Sequence, residues 1–272
     1  MNYRHSFHAG NFADLVKHAL VLWLLKTRRA AGPVTVLDTH AGAGLYDLTG
    51  DATRSREAEA GVERLMAAAD RPPLIEALAA EVGALNPGGG VRYYPGSPVL
   101  IARSLEDADA YVGFELREEV AGLLRESLSA FATARGEIGD GYELVRAEAK
   151  QARGALVLID PPFERPDDYL RAADTAAGIV KADPSAIVAI WTPLKDLETF
   201  DGFLRRLAEG TKAPTLVAEA RLRPLTNPMK MNGCAMVVVN PPAGADAAAT
   251  EICGWVARVL GDEGAKAEVW RV

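Results

Sequence analysis

Cysteine is scarce in this 272-residue chain: Cys234 and Cys253 are the only two. Two thiols are too few for a disulfide framework or a zinc cluster, and the four histidines bring no accompanying ligand pattern, so no metal site is expected. Long apolar runs are missing as well. The longest near the amino terminus, residues 19–25, falls far short of a membrane span, and no charged stretch leads into an apolar one with a small-residue cleavage site. The expectation is a cytoplasmic protein with no membrane partner. Net positive charge is absent too: the chain carries −7, which excludes a uniformly basic surface. Basic residues nevertheless gather in two stretches. Arg4, Lys17, Lys26, Arg28 and Arg29 open the chain, and Arg205, Arg206, Lys212, Arg221, Arg223 and Lys230 recur near its end. If folding joins them, they form one electropositive face of the kind nucleic acid needs.

The order of apolar and turn-forming residues predicts an α/β protein. Strands are expected at 34–38, 110–115, 142–147, 155–160, 186–192, 215–222 and 234–240. Helical patterns at 117–134, 167–181 and 196–209 separate strands in a way that calls for βαβ units and a mainly parallel sheet. The last two strands are joined by a loop too short for a crossover helix, so they should pair antiparallel. Asn11 has the character of a helix N-cap, with Asp14 three residues on, and Gly32-Pro33 ends that helix. Residues 50–90, with helical patterns around Pro72-Pro73 and a Gly-rich close at 87–90, read as a helical insertion in one domain spanning 1–272; residues 1–32 form an amino-terminal arm and helix.

Two sites of chemistry stand out. Residues 155–159 are wholly apolar and end in Asp160-Pro161-Pro162-Phe163. Prolines cannot continue a central strand, which leaves the acid and the ring at its carboxyl end, where α/β sheets bind ligands. A carboxylate, the Pro161 carbonyl and the Phe163 face suit a planar heterocycle with an exocyclic amine. The second site is Asp38, at the end of the first strand, followed by Gly42 and Gly44. The third glycine of a dinucleotide fingerprint is missing, since Asp47 holds that place. An acid before the turn disfavours phosphate and suits a cationic or zwitterionic ligand such as S-adenosylmethionine. Glu115 ends the next strand, where a carboxylate holds ribose hydroxyls, and Asp140-Gly141 immediately precedes the third predicted strand as a partner for an adenine amine. Tyr3 and Phe7, beside Arg4, His5 and His8, make a stacking and phosphate-contacting arm.

These motifs, together with Tyr3 to Asn11, Asp14, Lys17-His18, the stretch 37–44, Tyr93-Tyr94-Pro95-Gly96-Ser97-Pro98 and Asn240-Pro241-Pro242, resemble the ribosomal RNA large subunit methyltransferase J family. The resemblance spans nearly the whole chain. It implies a Rossmann-like class I S-adenosylmethionine-dependent methyltransferase, with a seven-stranded, mostly parallel sheet, an antiparallel last strand and an inserted helical subdomain. The implied reaction is methylation of adenine N6 in 23S ribosomal RNA, with the base flipped out of its stack; separately, a monomer is expected. Lys17, His18, His40, Ser97, Glu115, Asp140 and Gly141 are implied to hold the cofactor, Asp160 to be catalytic and Tyr3 to touch RNA. Phe163 stands where tyrosine is commoner in the family. The alternatives are a DNA adenine-N6 or protein-amide methyltransferase, which share an acceptor-Pro-Pro-aromatic site, and a nicotinamide-dependent dehydrogenase.

Overall fold

A computed structural model describes residues 8–49, 56–225 and 231–272. The arm residues Tyr3, Arg4 and His5 and residues 226–230 lie outside the described residues.

The chain order is α1 (Phe12–Arg29), β1 (Thr35–Asp38) and β2 (Leu45–Asp47). A π-helical turn over Glu59–Glu63 follows, then α2 (Arg64–Ala67) and α3 (Pro73–Ala84). Next come β3 (Tyr93–Pro95), α4 (Ser97–Ser104), β4 (Ala110–Glu115), α5 (Glu118–Leu128), β5 (Ala134–Ile138), α6 (Gly141–Ala149) and β6 (Leu156–Ile159). The chain continues through α7 (Asp168–Ala182), β7 (Ile187–Leu194), α8 (Leu197–Gly210), β8 (Thr215–Arg221), β9 (Gly233–Val239), α9 (Ala245–Leu260) and β10 (Lys266–Arg271).

Eight strands form the main sheet in the order β10-β8-β9-β7-β6-β1-β4-β5. The block from β5 to β7 is parallel, and β9 enters antiparallel between β7 and β8. The expected antiparallel pairing of the 215–222 and 234–240 strands is therefore present. Two details differ from the sequence reading. The strand count is eight rather than seven, because residues 266–271 add to the edge at β8. The strand assigned to 142–147 is helix α6, and the third strand of the parallel block is β5, at 134–138. The apolar spacing Tyr142, Val145, Ala149 is a helical stripe buried against the sheet, whereas β5 exposes most of its residues at the sheet edge and gives no strong alternation.

Period-two alternation puts helices on both faces. Val36, Leu156 and Leu158 pack with α1, α3 and α9, while Leu37, Val157 and Ile159 pack with α6, α7 and α8. Every residue of β6 is buried, and each such aliphatic side chain contributes roughly 1.5–3 kcal/mol relative to exposure. A separate ribbon of β2 and β3 closes the neck of the 48–92 segment. That segment lays Val62, Leu65, Ile75 and Leu78 into the core beside α1. The π-turn has a local cause: Val62 N–H donates to Gly10 O at 2.8 Å, so an acceptor from outside replaces the helix's own. Only glycine fits the neighbouring position, since a Cβ on Gly61 would stand 2.1 Å from that oxygen.

Candidate functional site

The site lies at the carboxyl edge of the sheet, where β1 has β4 on one side and β6 on the other. Chains leaving this point run in opposite directions and open a crevice. Past Asp38, the turn is held by Thr39 N–H to Leu158 O and Ala41 N–H to Phe114 O, each 3.0 Å. Gly42 and Gly44 take φ of +65° and +84°, a region open chiefly to glycine. Gly96 N–H, Ser127 Oγ and the Tyr46 hydroxyl fasten the turn from other elements.

Helix α1 starts as its sequence foretells: Asn11 Oδ1 accepts from Ala13 and Asp14 N–H, and Asp14 Oδ2 accepts from Gly10 N–H at 2.9 Å. One turn on, Lys17 projects to the end of β6. Its Nζ lies 2.7 Å from Asp14 Oδ1 and 2.6 Å from Asp160 Oδ2. Burial works against the ammonium, but the two carboxylates outweigh it and hold the Lys17 pKa well above its ordinary value. Burial raises the Asp160 pKa, and Lys17 opposes that rise without cancelling it. Asp160 Oδ1 makes no hydrogen bond to the described residues.

Asp38 is fully buried. Its carboxylate accepts from Ser97 Oγ (2.7 Å), Tyr111 O–H (3.2 Å) and His40 N–H (3.2 Å). Burial is the main cause of a pKa near 6, moderated by the Ser97 hydrogen bond and reinforced by the charge of Asp160. His18, only 2% exposed, contacts the Tyr94 hydroxyl through Nδ1 at 2.7 Å. Burial and the adjacent Lys17 charge push its pKa down to about 3, so the ring is neutral.

Two adjoining cavities flank this core. The larger, about 680 Å³, is bordered by Lys17, His18, Ser97, Asp160, Phe163 and Trp191. The smaller, about 280 Å³, is bordered by Glu115, Leu116, Asp140, Gly141, Tyr142 and Arg171. His40, Pro162 and Glu164 border both and join them. Phe163 adopts φ +51° and its ring packs at 4.4 Å from Tyr169 and 5.9 Å from Trp191, centroid to centroid. Asp140 follows β5 and N-caps α6 rather than preceding a strand: Oδ1 accepts from Tyr142 N–H, and Oδ2 pairs with Arg171 at 2.6 Å. Arg171 in turn lies over the Tyr142 ring, 4.4 Å from its centroid. Gly141 is obligatory, since a Cβ there would fall 1.9 Å from Thr39 O.

The fold thus brings Lys17, His18, His40, Ser97, Glu115, Asp140, Gly141, Asp160 and Phe163 to one crevice. Asp38, Gly42 and Pro161 border neither cavity. Asp38 lies beneath Ser97 and His40, Gly42 shapes the turn, and Pro162 takes the wall position next to Pro161. Four participants carry no chemical motif in the sequence. Tyr94 and Arg171 hold His18 and Asp140, Trp191 backs Phe163, and Glu57 accepts from His8 and Asn11 at the mouth of the larger cavity. The pair Tyr93-Tyr94 before Pro95-Gly96 was the only local signal for any of them.

Part of the two basic stretches is engaged within the fold. Among the described residues, Lys17, Arg29, Arg206, Arg221 and Arg223 each have a carboxylate partner.

Comparison with known proteins gives a consistent result. The family described as "Ribosomal RNA large subunit methyltransferase D, RlmJ" matches residues 31–272. "Ribosomal RNA large subunit methyltransferase J" of Escherichia coli is 32% identical over 259 residues, covering 94% of this chain and 92% of the relative. The protein of the same name from Haemophilus influenzae is 32% identical over 269 residues, covering 97% and 95%. A crystal structure of a Legionella pneumophila protein superposes with a TM-score of 0.86 at 23% identity, covering 97% of this chain and 98% of that one. That likeness concerns the fold.

Proposed function

The chain belongs to the ribosomal RNA large subunit methyltransferase family that matches it over residues 31–272, and from that premise we propose that it methylates the exocyclic N6 of an adenine in 23S ribosomal RNA, with S-adenosylmethionine as methyl donor. The observation that carries this reading is the placement of Asp160 and Phe163 on the larger cavity, directly beside a smaller cavity bordered by Glu115 and Asp140.

The residues present fit such a donor. Glu115 is a buried carboxylate suited to ribose hydroxyls, and Asp140 at the start of α6 is suited to an adenine amine. Gly141 lines the smaller cavity beside Asp140, and its lack of a side chain admits the Thr39 main chain. Ser97, His40, His18 and Lys17 surround the place left for an amino-acid moiety. S-adenosylmethionine supplies an electrophilic methyl group on a sulfonium. Everything else falls to the protein.

Adenine N6 is a weak nucleophile because its lone pair is delocalised into the ring. Asp160 Oδ1 accepts one of its N–H bonds and favours a pyramidal nitrogen. As N6 becomes positive, this fixed acceptor stabilises it without reorganisation. Lys17 keeps Asp160 anionic against its burial and fixes the carboxylate through Oδ2. Phe163 stacks on the base and adds a cation–π contribution of about 0.5–2 kcal/mol. Such a pocket takes a base only from a single strand or flipped out of a helix. Tyr3, Arg4 and His5 are proposed to guide it there, and the protein is proposed to act as a monomer.

The test is transfer of labelled methyl from S-adenosylmethionine to protein-free 23S ribosomal RNA by wild type and Asp160→Ala, followed by nucleoside digestion. N6-methyladenosine from wild type and little from the variant is the expected result. Methylation of duplex DNA or of a protein amide in place of RNA would refute the assignment.

A further inference from the structure

Among the described residues, His18 Nε2 is a buried polar atom with no hydrogen-bond partner. The residue is among those bordering the larger cavity. Its other nitrogen, Nδ1, meets the Tyr94 hydroxyl at 2.7 Å, and that hydroxyl has no second partner among the described residues. A neutral imidazole has one N–H and one bare nitrogen, and the group bonded to one decides what the other offers. If Nδ1 carried the proton, Tyr94 would accept it, and both the Tyr94 O–H and the bare Nε2 would be left unsatisfied in the interior. If Tyr94 donates to a bare Nδ1, only the Nε2–H remains without a partner. Buried polar groups overwhelmingly find partners, so the second arrangement is favoured and leaves a single buried donor, the Nε2–H, on a residue that borders the larger cavity.

We propose that Tyr94 is a positioning residue that fixes His18 as the Nε2–H tautomer, so that the ring donates to the carboxylate of the amino-acid moiety of S-adenosylmethionine. This rests on the cofactor reading above. The commitment to the carboxylate follows from complementarity: within that moiety the carboxylate only accepts and the ammonium only donates. A bare Nε2 would instead select the ammonium, for which Asp160 is already at hand on the same wall. The ring is held neutral by burial and by Lys17, so its tautomer, not its charge, sets what it presents. Tyr94 reaches this place from β3, the strand that closes the 48–92 segment, and its ring stacks against His18 at 5.6 Å between centroids. The segment outside the sheet thereby acts on the cofactor site.

Two measurements decide the matter. Long-range proton–nitrogen spectra of histidine-labelled protein should show His18 with Nε2 protonated and Nδ1 bare. Calorimetry should compare wild type and Tyr94→Phe with two probes, S-adenosylhomocysteine and 5′-methylthioadenosine, which lacks the amino-acid moiety. Tyr94→Phe should bind the first about tenfold to a hundredfold more weakly and leave the second unchanged. An Nδ1–H tautomer in wild type, or a variant that loses both probes equally or neither, would overturn the inference. Should the variant fail to fold, the wild-type tautomer alone decides. Wild type that binds neither probe would refute the cofactor reading itself, and this inference with it.

Discussion

Lys17 Nζ and Asp160 Oδ2 stand 2.6 Å apart across 143 positions of sequence, joining the first helix to the carboxyl end of β6. The pair is largely withdrawn from water, and Asp14 shares the same ammonium. Breaking a buried pair strands the remaining charge, at a cost of about 3–5 kcal/mol. Lys17→Met is therefore expected to lower stability by about 3 kcal/mol in urea unfolding. It should also displace the acidic limb of the rate profile to higher pH, because Asp160 loses the cation that opposes its burial. Lys17→Arg, charged but differently shaped, should recover stability more than rate.

In the proposed reaction Phe163 contributes a face rather than a functional group. Phe163→Leu should lower the transfer rate about 2- to 30-fold, the equivalent of about 0.5–2 kcal/mol, with cofactor affinity preserved. Phe163→Tyr should keep most of the rate. Single-turnover kinetics with excess RNA separate the two variants, and an unimpaired leucine variant would remove the ring from the mechanism.

The Asp38 carboxyl titrates near 6 in the native state against an ordinary 3.8. Between those values the native state binds more protons than the unfolded chain, so this group's contribution to stability falls as pH rises through the window. Asp38→Asn carries no such dependence. The stability difference between wild type and Asp38→Asn should shift in favour of the variant by about 2–3 kcal/mol from pH 3.5 to pH 7. Denaturant melts across that range measure it, and a constant difference would contradict the raised value.

His18 behaves with the opposite sign. Its pKa is pushed down to about 3 from 6.5, so between those values the native state binds fewer protons and stability is lost on acidification. Its ring resonances should stay constant from pH 5 to 8 in a proton–nitrogen titration. A midpoint near 6.5 would show that the ring is hydrated.

At Gly141 the prediction is steric. A Cβ would stand 1.9 Å from Thr39 O, a contact only backbone movement relieves. Gly141→Ala should destabilise by about 2–4 kcal/mol and weaken binding of S-adenosylhomocysteine, read by thermal melts and calorimetry. Gly122→Ala, with open space around it, should do neither.

Legibility in the sequence followed burial. The central strands β1, β4, β6 and β7 are apolar on both faces, and that composition is visible without neighbours. Edge strands lack it: β5 exposes most of its residues and β10 all but hides its role until it pairs with β8. The shift of Asp140 from one side of a strand to the other has the same origin, because the helical stripe of α6 and a short buried strand have similar apolar content.

The sequence by itself determined the parallel sheet, the Asn11 cap and the acid-plus-aromatic at the end of β6, because each depends on residues adjacent in the chain. Tertiary structure decided what those groups do to one another. It placed Asp38 beneath the cavity rather than on its wall, matched Lys17 with Asp160, paired Arg29, Arg206, Arg221 and Arg223 with carboxylates, and brought Tyr94 to His18. Those outcomes depend on burial and on separations across tens to hundreds of residues, and only packing creates either.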